Sequence, residues 1–298
     1  MVSAPPPGPH AHPLVARLAG QARRLELPSG EGRSLVWHVW GEQQARDPVP
    51  LVLLHGGSGS WTHWVRNIDA LAAAGRSVWA VDLPGFGDSA APAQAGGAEA
   101  MTEPLARALQ QLFGASACDL VGFSFGGLVA AQLLATHGAL ARQLVLVGAP
   151  AMGVVPARQF TLRGWRHLPA AQQPAAHRHN LAELMLADAG LIDADDGLAL
   201  RLHVANVQRD RLPRRRQAGA DALARTLADV RCPVGAIYGR HDALYRQWIA
   251  ALRDAFARAA PDFRGLALIE DAGHWVQFER PQAFHQALLA ALQRGAAP

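Results

Sequence analysis

Cysteine is scarce: two in 298 residues, Cys118 and Cys232, with no partner spacing. Two isolated thiols make neither a disulfide framework nor a zinc site, and both are expected to be buried and inert. No stretch reaches the ~18 uninterrupted apolar residues of a membrane span, so no membrane partner is expected. The opening segment MVSAPPPGPHAHP is proline-rich and has no apolar core of signal-peptide length. Residues 1–20 therefore read as a flexible tail, and the expected compartment is cytoplasmic. Aromatic residues are missing where the chain is most basic. The formal charge of +4 comes largely from arginine, and its one dense run is Arg209, Arg211, Arg214, Arg215 and Arg216. That run is broken by Asp210 and Pro213 and offers no ring for base stacking. It reads as a solvated helix end or loop, which excludes nucleic acid as the expected partner. No internal repeat is present.

What is there is half hydrophobic and 17% charged, a globular rather than a disordered profile. A chain of this length buries roughly three quarters of its unfolded surface, enough for one large α/β domain without a staple. Short apolar, β-branched runs alternate with longer alanine- and leucine-rich stretches, the pattern of βα units around a parallel sheet. The expected strands are 34–40, 49–54, 77–81, 119–123, 144–147, 234–238 and 265–269. Helices are expected over 64–74, 102–113 and 128–135. The near-continuous runs LVLL and QLVLVG suit strands covered on both faces. The rhythm breaks at Ala149-Pro150 and returns at Cys232-Pro233. This divides the chain into a core, 21–151 plus 231–298, and a helical insertion, 152–230, over the carboxyl edge of the sheet. Ligands of open α/β sheets bind at that edge.

One short stretch carries the chemistry. Gly122-Phe123-Ser124-Phe125-Gly126 fits G-x-S-x-G, with an apolar strand running in and a helix, GLVAAQLLA, running out. A turn this tight forces its central residue into strained backbone, which small neighbours tolerate. It lifts the serine hydroxyl clear of the sheet and turns the Phe125 amide toward the same space. A serine needs a base, and the base an orienting acid. His274, in Asp271-Ala-Gly-His-Trp after a late strand, is the best placed of thirteen histidines. Asp242 follows the strand VGAIYG and completes the order Ser, Asp, His. After QLVLVG there is no carboxylate, only Ala149-Pro150. His241 reads as structural, and Asp271 as an organiser of the turn before His274. An oxyanion needs two donors. Phe125 supplies one, and the glycine-rich loop His55-Gly-Gly-Ser-Gly-Ser supplies Gly57 as first choice, Ser58 as second.

On these residues the chain resembles the serine-dependent members of the α/β-hydrolase superfamily. HGG at 55–57, DLPGFGDS at 82–89, GFSFGG at 122–127, GRHD at 239–242 and GHW at 273–275 match its motifs in order. The resemblance covers roughly 33–150 and 230–295, with the segment between standing as the variable cap. It implies an eight-stranded sheet, a helical lid, the triad Ser124, Asp242 and His274, a structural turn at Asp82–Ser89, and neither metal nor cofactor.

Esters are the expected substrates. Two segments, HGGSGSWTHWVRNI and GHWVQFE, are also similar to hydrolases that cleave a carbon–carbon bond in dienoic ring-fission products. That group commonly has Asn where this chain has Phe123, and its lid carries an arginine for the substrate carboxylate, for which Arg163, Arg166 and Arg178 are candidates. Ser58, Trp61, Phe123, Trp165 and Trp275 are the expected pocket residues, which implies a mostly apolar small-molecule substrate. A ligand receptor on the same fold is the rival of another class, disfavoured by the intact triad and oxyanion loops. A homodimer is compatible with the sequence.

Overall fold

The computed structural model describes residues 12–92, 96–156, 160–212 and 219–296. Eight strands form one sheet: β1 Arg23–Gly30, β2 Arg33–Trp40, β3 Leu51–Leu54, β4 Val78–Val81, β5 Cys118–Phe123, β6 Ala141–Val147, β7 Val234–Gly239 and β8 Phe263–Ile269. Their order is β1-β2-β4-β3-β5-β6-β7-β8. β1 and β2 pair antiparallel, as do β2 and β4; every later pairing is parallel.

Why the central strands are apolar throughout follows from where their side chains go. Successive residues of a strand face opposite sides of the sheet. Leu51 and Leu53 accordingly join one core cluster and Val52 and Leu54 the other; in β6, Val145 and Val147 oppose Leu144 and Leu146. Helices α3 Thr102–Phe113 and α4 Phe125–Thr136 cover one face together with α8 Leu252–Ala259. The other face receives α1 Pro13–Gln21, α2 Ile68–Ala73 and the long C-terminal helix α10 Pro281–Ala296. Both faces are buried, so alternation of polar and apolar residues is absent from β3, β5 and β6.

Three elements depart from the sequence reading. Residues 13–20, expected within a flexible tail, belong to α1; His12 caps it through Nδ1, Pro13 occupies its first turn, and Val15 and Leu18 are fully buried. Proline at that position favours a helix start rather than opposing one. Residues 1–11 lie outside the described residues. The edge strand β1, RRLELPSG, was not expected because only Leu27 in it is buried, leaving no apolar run to read. The helix expected over 64–74 is shorter and split: a 3₁₀ turn covers Trp61–Trp64 and α2 begins at Ile68.

Between β6 and β7 every described regular element is helical: α5 Gln173–Asn180, a π-turn at Leu181–Met185, α6 Ala194–Gln208 and α7 Ala222–Leu227, with short 3₁₀ turns. Leu181, Leu186, Ile192, Leu198 and Leu202 bury their side chains in the core cluster that also holds Phe123 and Trp275. No described helix is long and apolar enough to cross a membrane.

Candidate active site

Ser124 sits between β5 and α4 with φ 50° and ψ −119°, a conformation that an L-residue adopts at a cost. The strain is held from both sides. The Ser124 amide donates to the Val147 carbonyl of the adjacent strand at 2.7 Å, and the Gly127 amide donates back to the Ser124 carbonyl at 2.9 Å. A Cβ on Gly126 would lie 2.4 Å from the His55 carbonyl oxygen, so only glycine lets α4 start this close to the end of β3. Phe125 opens α4. Amides of a helix's first turn have no acceptor within the helix and carry the positive end of its dipole.

His274 and Asp242 meet Ser124 in one hydrogen-bonded row. His274 Nε2 is 2.9 Å from Ser124 Oγ, and Nδ1 is 3.0 and 3.1 Å from the two Asp242 oxygens. A carboxylate can only accept, so Nδ1 carries the proton and Nε2 is the acceptor for the serine hydroxyl. Asp242 and His274 are buried, while Ser124 is part-exposed. The loop carrying Asp242 is fixed locally, since Oδ1 also accepts the Leu244 amide at 2.9 Å. Ala149, where the sequence offers no carboxylate, has another use. Its carbonyl accepts the hydroxyls of Tyr238 and Tyr245, at 2.8 and 2.6 Å.

The glycine-rich loop after β3 lies against the serine. An added Cβ on Gly56 would fall 3.1 Å from Ser124 Cβ and 3.0 Å from the Phe123 ring. Gly57 is the next residue of that loop and is half-buried. His63 holds the loop from beneath by accepting the Gly56 amide on Nδ1, at 3.2 Å. Burial, reinforced by His55, His203 and His274, holds the His63 imidazole well below the usual histidine range, which keeps it neutral and able to accept. His55 turns inward and accepts the Leu83 amide on Nε2 at 2.9 Å.

The expected pocket residues separate into groups. Phe123 is fully buried and its ring lies 5.1 Å from that of His274 and 5.4 Å from that of His63. Trp275 stacks on Phe278 at 4.2 Å and donates its Nε1–H to the His63 carbonyl. Trp61 packs on His38 and Trp40, and is core rather than exposed wall. Trp165 belongs to the insertion, half-buried against His177 with the Arg166 guanidinium over its ring. The Ser58 hydroxyl donates to Asp210 of the insertion at 2.5 Å. His241 is exposed and lines an outer cleft with Glu183, Arg246 and Arg280.

The basic run differs from its expected role as a solvated end. The Arg211 guanidinium donates to the carbonyls of Phe86, Gly87 and Ser89, and Arg209 pairs with Asp88 at 3.0 Å. Both arginines fasten the insertion to the Asp82–Ser89 turn; Arg214, Arg215 and Arg216 lie outside the described residues. That turn is structural: Asp82 accepts the Trp61 and Asp88 amides at 2.8 Å, and Ser89 Oγ donates to the Asp82 carbonyl. His38, Asp82 and Asp88 bring three metal-capable atoms within 4.8 Å, but both Asp82 oxygens already serve those backbone amides. Burial raises the Asp82 carboxyl to about 6. Burial likewise pushes the thiols of Cys118 and Cys232 up, to about 12 and about 11, so neither is a thiolate near neutral pH.

Three contacts gave no signal in the sequence: His63 under the oxyanion loop, Asn206 bonded to Ser60 and Thr62, and Glu279 behind His274. The partners of Asn206, and the Ala187 and Asp188 amides that Glu279 also accepts, are more than 90 residues away in the chain, while His63 and Gly273 lie within seven residues of their partners but in loops whose course the fold sets.

Comparisons with known proteins agree with this architecture. The chain is 32% identical over 273 residues to the dihydrolipoyllysine-residue acetyltransferase component of an acetoin cleaving system from Pseudomonas putida, covering 88% of this chain and 68% of that protein. It is 27% identical to a 2-hydroxy-6-oxononadienedioate/2-hydroxy-6-oxononatrienedioate hydrolase from Klebsiella pneumoniae, over 93% of this chain and 97% of the relative. A crystal structure of a bacterial membrane phospholipase A superposes with a TM-score of 0.72 at 22% identity, over 95% of this chain and 90% of that one. The sequence profile of the alpha/beta hydrolase family matches residues 51–287. With its eight-stranded sheet and the serine turn after β5, the chain belongs to the alpha/beta hydrolase family.

Proposed function

We propose that this hydrolase cleaves small, mostly apolar carboxylic esters through an acyl-enzyme on Ser124. The observation that carries the reading is the row Ser124–His274–Asp242, with its serine on a strained turn at the carboxyl edge of the sheet. His274 Nε2 takes the hydroxyl proton as Oγ attacks the ester carbonyl, and returns it to the departing alcohol. Water then enters, loses a proton to the same nitrogen, and releases the acid and Ser124. Asp242 holds the ring in the tautomer this requires. The amides of Phe125 and Gly57 are the proposed donors to the oxyanion.

A second reading, hydrolysis of a carbon–carbon bond in dienoic ring-fission products, is favoured by the near full-length similarity to the Klebsiella relative. That substrate class carries a carboxylate. Of the candidate arginines, Arg178 pairs with Asp193, and Arg166 donates to the carbonyls of Val207 and Asp210. Arg163 is exposed. Arg166 and Arg178 are thus engaged within the chain, and Arg163 is the remaining candidate for that carboxylate.

A panel of p-nitrophenyl esters and ring-fission dienoates, with mass spectrometry of Ser124, tests the proposal. Short esters should leave an acyl group on Ser124, and Ser124→Ala should lose at least about 10³-fold in kcat. Undiminished ester turnover by that variant removes the assignment; turnover of dienoates alone replaces the substrate class.

A further inference from the structure

We infer that Glu279 is a positioning residue of this reaction, its carboxylate joining the loop of His274 to the insertion so that base and cap are held as one body. The inference rests on the assignment of His274 as the base. Glu279 closes a one-turn helix, α9 Val276–Glu279, and is 4% exposed. One oxygen, Oε2, accepts the amide of Gly273. The other, Oε1, accepts the amides of Ala187 at 2.8 Å and Asp188 at 3.0 Å, both in the insertion. The residue after the histidine is tied to the same segment, for the Trp275 amide donates to the Met185 carbonyl at 2.7 Å. Each neighbour of His274 thus has its backbone amide in a bond that leads to the cap.

Gly273 supplies an independent observation. A Cβ there would lie 2.6 Å from the Ala187 nitrogen and 3.1 Å from the Leu186 carbonyl carbon. Glycine before the base therefore serves the close passage of the cap segment, beyond any freedom it lends the loop. Burial raises the Glu279 carboxyl from its ordinary range, against the pull of three amides and Arg280. A carboxylate retained there despite that cost is consistent with the number of donors it must satisfy.

The chemistry of the acceptor makes a sharp test. Glutamine is isosteric but offers one oxygen and one donor NH₂ group. In Glu279→Gln the NH₂ must face an amide N–H, either that of Gly273 or those of the cap. Displacing a base by about 1 Å costs on the order of 10²-fold in rate. The pre-steady-state burst of p-nitrophenolate measures acylation of Ser124 directly, and circular dichroism and thermal melting report the folded fraction. Glu279→Gln should acylate roughly 10- to 100-fold more slowly per folded molecule, with a smaller change in KM. Glu279→Asp keeps two accepting oxygens but is one methylene shorter, so it reaches the Gly273 amide or the cap amides and not both. It should slow acylation in the same direction. If either folded variant acylates within about 3-fold of wild type, or loses only melting temperature, the inference is overturned. If instead Ser124→Ala still turns over, the reading of the site fails first, and the two failures are told apart.

Discussion

The sheet and the insertion above it are held by different forces. In β3, β5 and β6 nearly every side chain is buried, and adjacent strands are laddered in register apart from one shift between Cys118 and Asp119 at the start of β5. The insertion adds apolar contacts from Leu181 to Leu202, but its placement depends on separate polar ties. Asn206 meets Ser60 and Thr62, Asp210 meets Ser58, Arg211 meets the carbonyls around Ser89, and Glu279 meets Ala187 and Asp188. Dispersed apolar burial is tolerant of sequence, since many side chains share it. A tie made by one carboxylate or one amide is lost with one substitution. The comparison explains why a fold can keep its core while its insertion varies.

The strongest challenge to this contrast is a single methyl group in the core. Gly126→Ala places a Cβ 2.4 Å from the His55 carbonyl and 2.8 Å from that of Leu54, both backbone atoms that cannot rotate away. Destabilisation of about 3 kcal/mol is expected in chemical denaturation, with loss of activity as the serine turn shifts. A near-neutral variant would show that the turn relaxes more freely than its packing implies.

Acid should weaken the insertion through its buried histidines. His177 is buried with neither ring nitrogen bonded to a described residue, and His203 Nε2 is likewise without a partner. Their rings lie 5.3 Å apart, and burial lowers both, His203 to about 3 from 6.5. The unfolded chain binds a proton at His203 below pH 6.5 while the folded one does not, so stability falls as pH falls from 6.5 toward 3. One such group contributes at most about 1.4 kcal/mol per pH unit in that window. Denaturation of His203→Leu and wild type at pH 6.5 and 5 should show the variant losing less, by up to about 2 kcal/mol. Equal losses would place the acid sensitivity elsewhere.

The smallest effect is expected at the surface of the same insertion. Arg178 and Asp193 form an exposed pair, 44% and 66% accessible at the side chains. Arg178→Ala should change stability by less than about 0.5 kcal/mol and leave the KM for esters unchanged. A selective rise in KM for dienoates would instead identify Arg178 as the carboxylate reader and revive the second reading.

Legibility in the sequence followed the same division. Strands buried on both faces announce themselves as apolar runs, and the serine turn as a strand, a glycine pair and a helix. Asp242 and His274 could be chosen because each follows a strand of the sheet. Edge strand β1 could not be read, since one buried residue in eight makes no pattern. The start of α1 was hidden by a proline that belongs in a first turn. Trp61 and Phe123 are both aromatic and near their motifs, yet only Phe123 stands beside His274.

By itself the sequence marked seven of the eight strands, the order of Ser124, Asp242 and His274, and a strand-free stretch between β6 and β7, because short-range pattern and turn chemistry dictate all three. Only the tertiary structure decided what holds the insertion in place. Arg211 reaching the turn at Ser89, and Glu279 bridging Gly273 to Ala187, are contacts across 122 and 92 residues of chain. Such pairings arise when packed elements bring donors and acceptors together, and no local periodicity encodes them.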